Sequence, residues 1–172
     1  MAVVTTLGST TVTIAPPDEA PFPVQAVVEE QDTCLILDIE PVIRKPMESF
    51  PRLVRQANEQ RPRTPGEVVV RPGSPMRLLA VVHDLEREPS CRESWINDAL
   101  LNVLRQLGRH RVNAAALPLL GTVHGQFNGM RFVRLLRDAL HSHASAYPKK
   151  LWLIAPEGDC EWIGKYLEKS EA

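Results

Sequence analysis

The run Pro118-Leu119-Leu120-Gly121-Thr122-Val123-His124-Gly125-Gln126-Phe127 gathers two glycines, a hydroxyl and an imidazole in one short stretch. An apolar, strand-like run over residues 111–117 precedes it, and a helix-like run over 129–143 follows. A strand that ends in a glycine-bearing loop and resumes as a helix offers backbone N–H groups and a helix N-terminus to an anion. In an open α/β sheet such a loop lies at the carboxyl end of a strand, where ligands bind. A plain strand-to-helix turn has the same appearance, so both readings stand on the pattern alone.

Two histidines accompany this loop: His124 within it and His83 at the end of another apolar run. A pair so placed could do acid–base work near neutral pH. The plainer reading, a packed strand-end histidine and a loop histidine bonded to backbone, is preferred. His110, His141 and His143 read as solvated helix-end residues, and the five histidines lack the spacing of a zinc-binding HExxH helix. Neither a GxSxG nucleophile turn nor a CxxC pair occurs. Cys34, Cys91 and Cys160 are widely spaced and odd in number, as expected of reduced thiols in the cytoplasm. Cys91 and Cys160 read as incidental. No residue is assigned a catalytic role, and neither metal nor cofactor is expected.

The elements that must hold these residues alternate between strand and helix. Residues 10–15 read as a β-branched strand, and four prolines between 16 and 23 make a stiff connection. Residues 24–29 and 33–39 read as two short strands joined by a Glu30-Gln31-Asp32 turn, or as one bent strand. A helix is expected over 46–58 and strands over 67–71 and 77–84. The apolar run Leu78-Leu79-Ala80-Val81-Val82 suggests burial on both faces. Residues 90–108 carry an apolar stripe at helical spacing, with Ser90 and Glu93 placed as a capping box and Gly108 as a stop. A buried strand over 151–155 and a short final helix complete an α/β pattern with a largely parallel sheet.

At 172 residues, 44% of them hydrophobic, the chain can bury a core of its own. A formal net charge of -1 argues against general nucleic-acid binding. The charge is uneven: residues 1–43 hold seven acids and no Lys or Arg, whereas 44–77 hold eight bases and three acids. These segments either pair across one surface or leave an anion-attracting patch around Arg44 and Lys45. No stretch approaches the roughly 20 apolar residues of a membrane span, and residues 1–7 lack the basic start of a signal peptide.

The loop from Pro118 resembles the second ligand loop of macro domains, the ADP-ribose-binding, Appr-1″-p-processing-like family, where it wraps the diphosphate. Pro65-Gly66-Glu67-Val68-Val69-Val70-Arg71-Pro72-Gly73 and Leu79-Ala80-Val81-Val82-His83-Asp84 are similar to two consecutive strands of that family. The blocks fall in the family's order, with the long helix between them. The resemblance covers residues 65–155 well and the N-terminal part loosely. It implies one domain over 1–172, a three-layer sandwich with a mixed, roughly six-stranded sheet flanked by helices. It implies ligand contacts from Gly121, Thr122, Val123, His124, Gly125, Gln126 and Phe127, with His83 nearby; Arg44 or Lys45 of the basic segment would assist. Asp18, six residues before Val24, has the spacing of the family's adenine-contacting aspartate.

Two departures bear on function. Val123 stands where the family usually has glycine, and a β-branched side chain resists φ > 0. Glu29-Glu30-Gln31-Asp32 stands where the family has an Asn-Ala-Ala-Asn-like run followed by glycines, and acids repel a diphosphate. The resemblance thus implies a divergent module that binds ADP-ribose or a related phosphate-bearing small molecule and has no hydrolase activity. The alternative is a degenerate scaffold that meets a protein partner or a second copy of itself.

Overall fold

The computed structural model describes residues 2–37, 62–122 and 126–169. Among them the chain forms strands β1 (Val3–Leu7), β2 (Thr10–Ala15), β3 (Ala26–Asp32), β4 (Val68–Arg71), β5 (Met76–His83), β6 (Ala114–Pro118) and β7 (Lys150–Ile154). The described helices are α1 (Glu93–Arg109), α2 (Gly129–Ser142) and α3 (Glu157–Glu168). The strands make one mixed sheet in the order β1-β2-β7-β6-β3-β5-β4. The five inner strands are parallel, and β1 and β4 run antiparallel at the two edges. The α/β sandwich follows from the sequence pattern, with seven strands rather than six. The extra strand is β1, which hairpins onto β2 through Gly8 at φ +59°, a value that suits glycine.

Alternation along the strands builds the core. Val12 and Ile14, Ala26 and Val28, Leu78, Ala80 and Val82, Ala115 and Leu117, and Leu151 and Leu153 join one cluster with α1, α2 and α3. Each fully buried Leu or Ile in it contributes about 1.5–3 kcal/mol. Ala15, Ala116 and Trp152 point the other way, where Phe22 and Val24 of the proline-rich connection pack on them. No described helix is long and apolar enough to cross a membrane.

Three expectations are corrected. Residues 30–32 form no turn and 33–37 no strand. Strand β3 continues through Glu30↔Ala80, Gln31↔Val81 and Asp32↔His83 with an irregularity after Gln31. The chain turns only afterwards, because the buried Asp32 carboxylate accepts the N–H groups of Cys34 at 2.6 Å and Ile36 at 3.1 Å. The capping box at Ser90 does not form. Arg92 is the N-cap, without a side-chain bond, and Glu93 instead pairs with Arg131 and Arg134 of α2. Gly108 does not stop α1. The turn comes at Arg111, φ +51°, whose N–H reaches the Gly108 carbonyl while Val112 N–H reaches that of Leu107. The helix expected over 46–58, with Arg44 and Lys45 before it, lies outside the described residues.

The parallel strands send their carboxyl ends, Ala15, Asp32, His83, Pro118 and Ile154, to one end of the sheet. Helices α1, α2 and α3 begin on the side of that same end. The topology thereby gathers residues from five separate parts of the chain.

Candidate functional site

The site centres on the step from β6 into α2. Gly121 has φ +82°, a left-handed value that side chains resist. A Cβ there would meet Ile96 Cδ1 at 2.7 Å, Phe127 Cβ at 3.0 Å and Cys91 Sγ at 3.2 Å. Both conformation and space therefore demand glycine. The turn closes on itself: Phe127 N–H donates to the Gly121 carbonyl at 2.9 Å. The Thr122 hydroxyl and N–H both donate to the Leu119 carbonyl, at 2.7 and 3.2 Å. The Asn128 side chain caps α2 by accepting from the N–H groups of Met130 and Arg131. Such a cap contributes about 1 kcal/mol.

Opposite the turn stands Glu30. Its carboxylate accepts the Gly121 N–H in a close contact. The same Oε1 lies 3.3 Å from His83 Nε2, with both side chains almost wholly buried. Cys91 adjoins them through a backbone bridge to His83. Burial and then the Glu30 charge push the Cys91 thiol up to about 11, so it stays protonated at neutral pH and is a poor nucleophile. The group therefore lacks the activated thiolate that nucleophilic catalysis would need. Among the described residues no group of three His, Cys, Asp or Glu side chains could hold a metal ion.

The sequence-derived site residues distribute as follows. Gly121, Thr122 and Phe127 come together at the turn, and His83 lies beside Glu30. Phe127 is half-buried with the Arg131 guanidinium 5.4 Å from its ring, and Gln126 is exposed at φ +52°. Asp18 is exposed, in the turn after β2 at the same sheet end, two strands away from β6. Val123, His124, Gly125 and Arg44 lie outside the described residues. The sequence reading missed Glu30, Cys91 and Asn128 as parts of the site. Glu30 had a signal: Ala26, Val28 and Glu30 share one strand face, which puts its side chain toward the helices.

Compared with solved structures, the chain superimposes along nearly its whole length on an Oceanobacillus iheyensis macrodomain mutant with ADPR. The TM-score is 0.69 at 13% identity, over 97% of this chain and 98% of that one. The chain has the macrodomain fold. The macrodomain of Thermus aquaticus DarG matches 84% of this chain and 98% of its own, with TM-score 0.60 and 19% identity. A Trypanosoma brucei macrodomain in complex with ADP matches 90% of this chain and 68% of its own, with TM-score 0.60 and 14% identity. No protein-family model matches the chain, and no curated protein does. Identities this low leave the macrodomain resemblance to the architecture, and the ligand must be argued from the site.

Proposed function

We propose that the chain is a single macro-like domain that binds ADP-ribose or a related nucleotide, without catalysis, at the carboxyl end of its parallel strands. The observation that carries this reading is the turn at Gly121. It is a tight, side-chain-free backbone step from a central strand into a capped helix, at the sheet end where such folds bind ligands. Two structures of the same fold, an Oceanobacillus iheyensis macrodomain mutant with ADPR and a Trypanosoma brucei macrodomain in complex with ADP, support a nucleotide as the ligand class. Arg44 and the run from Val123 to Gly125 are proposed to complete the ligand contacts, with Asp18 toward the base. Hydrolysis of ADP-ribosyl bonds is not proposed, since Glu29 to Asp32 replace the family's asparagine-rich run.

A second reading is favoured by one contact, the Glu30 carboxylate on the Gly121 N–H. With that donor satisfied from within, the fold would serve as a scaffold for a protein partner or a second copy of the chain, in the cytoplasm. Thermal melting with ADP-ribose, ADP and inorganic pyrophosphate separates the two. A ligand of the native state at a hundred times its Kd adds about 2.7 kcal/mol of stability and raises Tm. An unchanged Tm at millimolar ADP-ribose would contradict the nucleotide reading.

A further inference from the structure

We infer that Glu30 is a built-in anion that competes with phosphate-bearing ligands for the backbone donor at Gly121, and so sets which ligands the site accepts. The inference rests on the nucleotide reading for the location of the site. Its evidence is the carboxylate itself.

Strand β3 places Glu30 on the face toward the helices, one strand away from β6 on one side and from β5 on the other. From there its carboxylate reaches the N–H of Gly121 across the sheet end, 91 residues away in sequence. An acid so deeply placed is costly unless its charge is met. Here the Gly121 N–H meets it, and the His83 imidazole lies 3.3 Å away. The last acid of the strand is also met by backbone, since Asp32 takes the N–H groups of Cys34 and Ile36. The field of Glu30 extends to Cys91, whose thiol it helps to keep protonated.

The Glu30 contact on Gly121 has the geometry that a bound anion would use: a carboxylate oxygen on a backbone N–H at a strand-to-helix turn. A phosphate approaching Gly121 must displace the carboxylate or sit beside it. Sitting beside it sets like charges about 5 Å apart, a repulsion that salt screens only in part at so buried a position. Ligands with neutral or hydroxyl-bearing groups at this position meet no such barrier. The site therefore discriminates against free phosphate and diphosphate, and nucleotide affinity is held down by a group of the chain's own.

The test compares the wild-type chain with Glu30→Gln, which keeps the side-chain shape and removes the charge. Calorimetric titration uses ADP-ribose and inorganic pyrophosphate, and amide hydrogen exchange follows Gly121. The expected result is at least about tenfold tighter pyrophosphate binding by the variant, a conservative share of the repulsion after screening. Gly121 exchange should quicken in the free variant and slow again with the anion. Glu30→Asp withdraws the carboxylate by one methylene and serves the same comparison should the glutamine variant fold poorly. Wild-type binding of ADP-ribose with no gain in the variant would overturn the role of Glu30 and leave the nucleotide reading intact. Pyrophosphate bound only by the variant, with ADP-ribose bound by neither protein, would support the role of Glu30 and remove ADP-ribose as ligand. Failure of both proteins to bind either anion would overturn both.

Discussion

The two ends of the sheet treat charge in opposite ways. At the carboxyl end, acids are anchored: Glu30 on Gly121, Asp32 on the turn after β3, Asp84 3.2 Å from Arg87, and Glu93 on Arg131 and Arg134. At the amino end, Arg105 and Arg109 at the end of α1 make no ion pair among the described residues, although Arg77 pairs with Glu29. A groove of about 540 Å³ between the last turns of α1 and α2 has Leu104 and Ala139 in its floor and Arg105 and Arg109 on its wall. Arg105 meets Asn102 Oδ1 at 2.8 Å, and Arg109 has no ion-pair partner among the described residues. Charge alone would send an anion to the amino end. On the proposed reading backbone geometry sends it to the carboxyl end, where, among the described residues, the Gly121 turn leads into the capped helix α2. On the proposed reading, ligand placement follows the convergence of backbone donors, and side-chain charge tunes how strongly the ligand is held.

The largest expected effect separates the two ends by their glycines. Gly121→Ala should destabilise by about 2–4 kcal/mol, from left-handed strain and overpacking against Ile96 and Phe127. Gly108→Ala at the amino end meets mainly Ser145, whose Oγ lies 2.8 Å from the added Cβ, and gains helix propensity, so its net cost should stay below about 1 kcal/mol. Urea denaturation of both variants checks this, and equal losses would remove the special status of the Gly121 turn.

The next effect concerns the thiol beside Glu30. With Cys91 raised from 9.0 to about 11, alkylation by iodoacetamide at pH 8 should be roughly a hundredfold slower than for a free thiol. Glu30→Gln removes one of the two causes and should speed it. The linkage has a definite sign: the folded chain keeps a proton that the unfolded chain loses, so this contribution to stability is present below pH 9 and lost as pH rises toward 11. Mass-spectrometric alkylation rates and melting across that window check both statements.

Much of this architecture was legible in the sequence, and the exceptions share a cause. Strands β5 and β6 and helices α1 and α2 announced themselves because their apolar residues recur at periods that only one geometry can bury. Gly121 was legible as a turn for the same local reason. The Glu30 contact was not, because 91 residues separate its partners and local pattern reads Glu30-Gln31-Asp32 as a tight turn or a bend in one strand. Only pairing with β5 shows that Glu30 lies inside the sheet, where its partners come from distant parts of the chain. The hairpin strand β1 escaped notice because its half-exposed residues carry a weak alternation.

Smaller effects refine the picture. Asn128→Ala should cost about 1 kcal/mol by freeing two N–H groups at the start of α2, and should weaken any ligand held at that terminus. Loss of stability with unchanged ligand affinity would place the ligand away from α2. At the amino end of β5, Arg77 makes a forked ion pair with Glu29, but half of the arginine side chain is exposed. Arg77→Ala should therefore cost under about 1 kcal/mol, less still in high salt.

The most direct test of the account is a titration of the isotopically labelled chain with ADP-ribose, followed by amide chemical shifts at both ends of the sheet. The account predicts shifts at Gly121, Thr122, Phe127 and Gly129, with the amides of Leu104, Gly108, Arg109 and Ser145 unmoved. Shifts confined to the groove at Arg105 and Arg109, or none at either end, would contradict it.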